Sequence, residues 1–212
     1  MKIDPTLRFG YWLSLLVLVL ALAYLGLIIA ALASGDFPPV GPLQMPISVV
    51  TLFSVPAMVL LWTIIHQVTP AGKRAFSLGS LVLMVVFATL TSINRYNALT
   101  VVPQATAMGR SEGLEWFLPY GWPSIMAAME VLAWGFYYGL ACLCLAPVFG
   151  GNRLEKVIFW TLVVSGVLSL VAVLGQVLDS VPLNGLGILA WGPGGILLTV
   201  LWARWFKVQE NR

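Results

Sequence analysis

The sequence predicts an all-α protein, a polytopic bundle of six transmembrane helices with both termini in the cytoplasm. Three observations lead there. Hydrophobic residues make up 60% of the 212-residue chain and charged residues only 9%, too few charges to cover a soluble domain. The apolar residues come in continuous runs that match the ~20 helical residues needed to cross a ~30 Å hydrocarbon core, whereas barrel strands would alternate apolar and polar positions. The basic residues, finally, gather in short connections at one end of those runs.

The runs lie near Tyr11–Leu32, Ile47–Val68, Ala75–Arg95, Pro123–Val148, Val157–Leu178 and Leu183–Trp205. Lys2 and Arg8 precede the first, Lys73 and Arg74 follow the second, Arg153 and Lys156 follow the fourth, and Arg204, Lys207 and Arg212 close the sixth. All of these fall on one side, which the positive-inside bias assigns to the cytoplasm. Asp36, Glu112, Glu115 and Asp179 fall on the other. A pI near 9.0 would suggest nucleic acid in a soluble protein; here orientation accounts for the basic residues, and no nucleic-acid partner is expected. The bilayer is the expected partner, and the localisation is a multi-pass cell-membrane protein.

Taken in order, the first run follows a weakly basic start, and Ala31-Leu32-Ala33 resembles a small-residue cleavage site. It is longer than a usual signal core, so an uncleaved span is the preferred reading. The second carries Pro56 near its middle, which should kink it, and His66, which lacks the companions for a haem or zinc site and reads as an interface residue. The third ends in Thr91, Ser92, Asn94, Arg95, Tyr96 and Asn97. A loop over 98–122 follows, with Trp116, Phe117, Tyr120 and Trp122 among Pro119 and Gly121. Such aromatics suit the headgroup zone, as an anchor or else as a lid.

The fourth run places Ala127, Glu130, Trp134 and Tyr137 at helical spacing on one stripe. Its Cys142 and Cys144 point about 200° apart, which suits packing rather than a disulfide or a shared metal. In the fifth, Ser165, Ser169, Ala172 and Gln176 form a stripe of small and polar residues. The sixth opens at Asn184 and carries Gly185, Gly187, Gly192, Pro193, Gly194 and Gly195. That composition fits a broken, ion-binding helix or, as preferred, close helix packing through small residues. The two three-helix halves would have opposite topology, yet no motif matches between them, and residues 1–212 read as a single domain.

The chemistry concentrates between the third and fourth runs. Glu130 lies seven residues past Pro123, about 10 Å down a helix, where a carboxylate costs roughly 2.5–3.5 kcal/mol unless paired, protonated or hydrated. Three readings are open. Arg95 and Glu130 could centre an outward-facing pocket, could form a structural ion pair pinning two helices, or could act apart, with Arg95 snorkelling and Glu130 protonated. The candidate ligand-binding residues are Asn94, Arg95, Tyr96, Glu130, Trp134, Tyr137 and Gln176, with Glu130 as the candidate catalytic group. No Walker loop, GxSxG elbow or HExxH helix is present, and neither cofactor nor metal is expected.

The run SINRYNALTVV, followed by MEVLAWGFYYGLACLCLAPVF and GNRLEK, resembles a pattern in small multi-helix membrane proteins of bacteria. Asn94, Tyr96, Glu130, Trp134 and Gly135 are the matching positions, over about the central third of the chain. The resemblance implies a bacterial inner-membrane protein and adds no reaction. The first function expected is therefore the binding of a lipophilic or amphiphilic molecule, or of a membrane-protein partner's helix, at the polar pocket. An intramembrane isomerase or cyclase acting on a lipid or isoprenoid through Glu130 is the second, and a small transporter the third.

Overall fold

A computed structural model of the chain describes residues 4–36, 39, 41–110, 112–120 and 122–210. Lys2, Gly121 and Arg212, used in the readings above, lie outside these. Six helices are long and apolar enough to cross a membrane: α1 Pro5–Ser34, α2 Gln44–Val68, α3 Ala71–Ala107, α4 Ile125–Val148, α5 Arg153–Val177 and α6 Val181–Glu210. No strand occurs among the described residues. The chain is a multi-pass membrane protein built as an all-helical bundle.

Capping chemistry sets where the helices begin and end. Asp4 accepts a hydrogen bond from the Thr6 amide at 2.9 Å and Pro5 opens α1, satisfying one exposed donor of the first turn and starting the helix six residues ahead of Tyr11. Gly35, at φ +74°, ends it in the left-handed conformation that favours glycine. Ser124 caps α4 by accepting from Ala127 N at 2.9 Å, and Asn152 caps α5 by accepting from Glu155 N at 3.1 Å.

The third helix departs most from expectation. Residues 98–107, read from the sequence as loop, are largely helical: Arg74–Leu99 breaks at Thr100 and resumes as Val101–Ala107. Pro103 does not prevent this, because it sits in the first turn of the second segment, where an amide proton has no helical acceptor. At 37 residues, α3 is about 55 Å long and outreaches a ~30 Å hydrocarbon core.

Two helices contain a π-helical turn, α4 over Leu132–Tyr137 and α6 over Ala190–Gly194. The glycines of α6 do not break it. A Cβ at Gly187 would lie 2.7 Å from Ala172 Cβ, and one at Gly194 2.7 Å from Ser165 Oγ, so the small residues permit close packing on α5. α2 runs as α-helix through Pro56.

Each span packs on the next, and α6 returns to pack on α1, closing a ring. Its middle is filled. Trp62 and Trp202 meet edge to face with centroids 4.7 Å apart, among the buried Leu61, Ile65, Met84, Leu145, Ile158 and Phe206. The buried Ser80 hydroxyl links two helices: Trp62 Nε1 donates to Ser80 Oγ at 2.8 Å, and Ser80 Oγ donates to Ala141 O at 2.7 Å. His66 is an interface residue, its Nδ1 2.8 Å from Ser77 Oγ between α2 and α3. Phe53, Val82, Trp160 and Val177 are exposed on the outside, an apolar surface suited to lipid.

A buried polar cluster between α3 and α4

At the end of the bundle away from the termini, α3 turns Thr91, Asn94, Arg95, Asn97 and Ala98 inward. The spacing follows from 3.6 residues per turn, which puts these positions on the stripe that begins deeper down with Ser80, Met84 and Phe87. Arg95 is 1% exposed and pairs through Nη2 with Glu130 Oε1, the Glu130 side chain being 18% exposed. Asn94 Nδ2 donates to Glu130 Oε2 and to Met126 O. The carboxylate is thus gripped from two successive residues of the facing helix. Arg95 does not snorkel to the headgroups, and that third reading is corrected: burial among α3, α4 and the following segment leaves the guanidinium no route out.

The segment between α3 and α4 closes over the pair. It contains a short 3-10 turn, Leu114–Phe117, and brings Tyr120 inward, whose hydroxyl accepts from Arg95 Nη1 at 2.7 Å. The guanidinium carbon lies 4.9 Å from the Tyr120 ring centroid, so one residue supplies both a hydrogen bond and a cation–π contact. Asn97 Nδ2 donates to Phe117 O at 2.6 Å and Ser124 Oγ to Leu118 O at 2.7 Å, holding the segment at two further points. Desolvation pushes the Tyr120 phenol well above its ordinary range, against the opposing influence of Arg95. The hydroxyl keeps its proton and reaches Tyr24 of α1, which interacts with the same group. Trp116, Phe117 and Trp122 remain exposed, so the segment both covers the pair and presents aromatics outward.

Beneath the ion pair lies an aromatic layer. The Trp134 ring meets Phe87 at 4.7 Å, Tyr138 at 5.9 Å and Trp191 at 6.3 Å, so the π turns of α4 and α6 touch through their tryptophans. Trp191 Nε1 donates to Ser169 Oγ at 3.0 Å. Around the ion pair some polar capacity is left over: Thr91 Oγ1, Asn94 Oδ1, Arg95 Nε and Trp134 Nε1 are buried without a hydrogen-bond partner. That is unusual, because buried polar groups are ordinarily satisfied.

The sequence-predicted residues thus divide. Asn94, Arg95, Glu130 and Trp134 come together. Tyr96 is 63% exposed and points away. Tyr137 stacks edge to face on Phe136 at 5.4 Å, while its neighbour Tyr138 takes the inward position. Gln176 is engaged elsewhere, accepting from Asn184 Nδ2 at 2.7 Å. Tyr24, Thr91 and Tyr138 were not among the candidates; the one signal for Tyr24 was that it is the single aromatic between Trp12 and Ser34 of an aliphatic stretch. Cys142 and Cys144 are unpaired, and among the described residues no group of three or more His, Cys, Asp or Glu gathers to hold a metal. No protein-family model, curated protein or solved structure matches this chain.

Proposed function

We propose that this is a cell-membrane protein, with cytoplasmic termini, that binds a neutral amphiphile through the α3–α4 cluster in the outer half of the bilayer. The observation that carries this reading is the unused hydrogen-bonding capacity around the ion pair. Arg95 Nε and Trp134 Nε1 can only donate, Thr91 Oγ1 can donate or accept, and Asn94 Oδ1 accepts. A group that uses them must be rich in acceptors. Since Arg95 and Glu130 already neutralise each other, adding an anion would bury a net charge at high cost. A carbonyl oxygen meets both conditions. The aromatic layer of Phe87, Trp134, Tyr138 and Trp191 suits the apolar body of the same molecule.

Glu130, the more exposed partner, is where such a molecule first meets the cluster, and Tyr120 shields Arg95 from the other side. Native mass spectrometry from mild detergent tests the reading with three probes of matched chain length: an alkyl quinone, a fatty acid and an alkylamine. The wild type should retain the quinone in preference, and Thr91→Val combined with Trp134→Phe should lose it while keeping the ion pair. Equal retention of all three, or retention unchanged in the double variant, refutes the proposal. A co-purifying protein chain lost in the same variant would instead favour a partner's helix.

A further inference from the structure

The ring is filled at its middle but opens at the end that carries both termini. There all six spans and their connections line a cavity of about 580 Å³, within the ~300–1,000 Å³ typical of small-molecule sites. It lies at the opposite end from Arg95 and Glu130 and shares no residue with them. Its deep wall is aromatic: Phe149 and Trp205, both buried, meet edge to face at 5.4 Å.

Fixed charges of both signs line the cavity. Lys73 Nζ donates to Val148 O at 2.9 Å, which leaves two of its three ammonium protons free to act. Glu155 is held by three neutral donors, Gly151 N at 2.8 Å, Asn152 Nδ2 at 3.3 Å and Trp205 Nε1 at 3.3 Å. Asp4 adds a second carboxylate, accepting from Thr6 N at 2.9 Å. The ion pairs among the described residues are Arg95–Glu130 and Lys207–Glu210, so Lys73, Glu155 and Asp4 are held by neutral partners and do not cancel one another. Opposite charges held separate in one cavity call for a ligand that carries both.

We propose that this cavity binds a small zwitterion, its anionic group on Lys73 and its ammonium on the Glu155 carboxylate. Three neutral donors hold that carboxylate in place without cancelling its charge, which stays available to a cation. The zwitterion could be free in solution or be the headgroup of an amine-bearing phospholipid, and the test separates these sources. Isothermal titration of the purified full chain with glycerophosphoethanolamine, glycerol phosphate and ethanolamine should give binding for the first and at least tenfold weaker binding for the two single-charge fragments. Lys73→Gln and Glu155→Gln should each weaken the first at least tenfold. In nanodiscs, phosphatidylethanolamine but not phosphatidylglycerol retained in native mass spectra would place the source in the bilayer. Amine-reactive labelling of Lys73 in the wild type, slowed by the zwitterion more than by equimolar ethanolamine, supports the site without any variant. Equal binding of the single-charge fragments, unprotected Lys73, or no binding by wild type in either arm overturns the proposal.

Discussion

Removing either partner of the Arg95–Glu130 pair should destabilise the bundle more than removing both. Glu130→Leu leaves Arg95, 1% exposed, as an uncompensated buried cation, whereas Arg95→Met leaves a carboxylate whose side chain was already 18% exposed and can draw on water at the membrane edge. Breaking a buried pair from one side costs about 3–5 kcal/mol, while replacing both members with apolar side chains of similar volume is often neutral. Glu130→Leu therefore belongs near the top of that range and Arg95→Met near the bottom. The double variant should lie within about 1–2 kcal/mol of wild type, the residue being the loss of the Arg95–Tyr120 hydrogen bond. The coupling energy is then about 6–7 kcal/mol, far from the ~0.3–0.5 kcal/mol scatter of independent sites. Reversible unfolding in mixed micelles of mild detergent and dodecyl sulfate, followed by circular dichroism, measures it. Additive single effects, or a double variant worse than either single, would refute the reasoning.

Four further outcomes are expected. Gly166→Ala should cost about 1–3 kcal/mol in the same assay, since its Cβ would lie 2.8 Å from the backbone oxygen of Gly139. Gly26→Ala, which meets open space, should be neutral or stabilise by up to about 1 kcal/mol. Asn152→Ala should lose about 1 kcal/mol with the cap of α5, and restoring serine there should recover most of it. In a background lacking Cys142 and Cys144, a membrane-impermeant maleimide should label Thr106→Cys in intact cells and Gly150→Cys only after lysis; the reverse pattern would invert the topology.

The spans were legible because hydrocarbon imposes one requirement, length of apolar helix, that every run of the chain displays. The pairing of Arg95 with Glu130 was also within reach, since both are expensive in lipid and lie near the same boundary. What escaped was local. A 3.6-residue period puts Tyr137 on the stripe of Glu130 and Trp134, but the π turn over Leu132–Tyr137 inserts a residue's worth of rotation and delivers Tyr138 instead. Nothing in the letters LAWGFY marks that turn; it is set by what α4 packs against. The overrun of α3 escaped because polarity ends a transmembrane run at Arg95 without ending a helix. Tyr120 read as an interfacial aromatic, as Trp116 and Trp122 are, and only the distant Arg95 gives it a different fate.

The ring closes between its first and sixth helices, with the Phe206 ring lying over Gly10 and Trp202 meeting Trp62. Of the six, α6 is made last. While the chain emerges, α1 and α5 each have a neighbour on one flank only, and lipid must occupy the place α6 will take. Closure is therefore an exchange of acyl chains for tryptophan and phenylalanine, completed late.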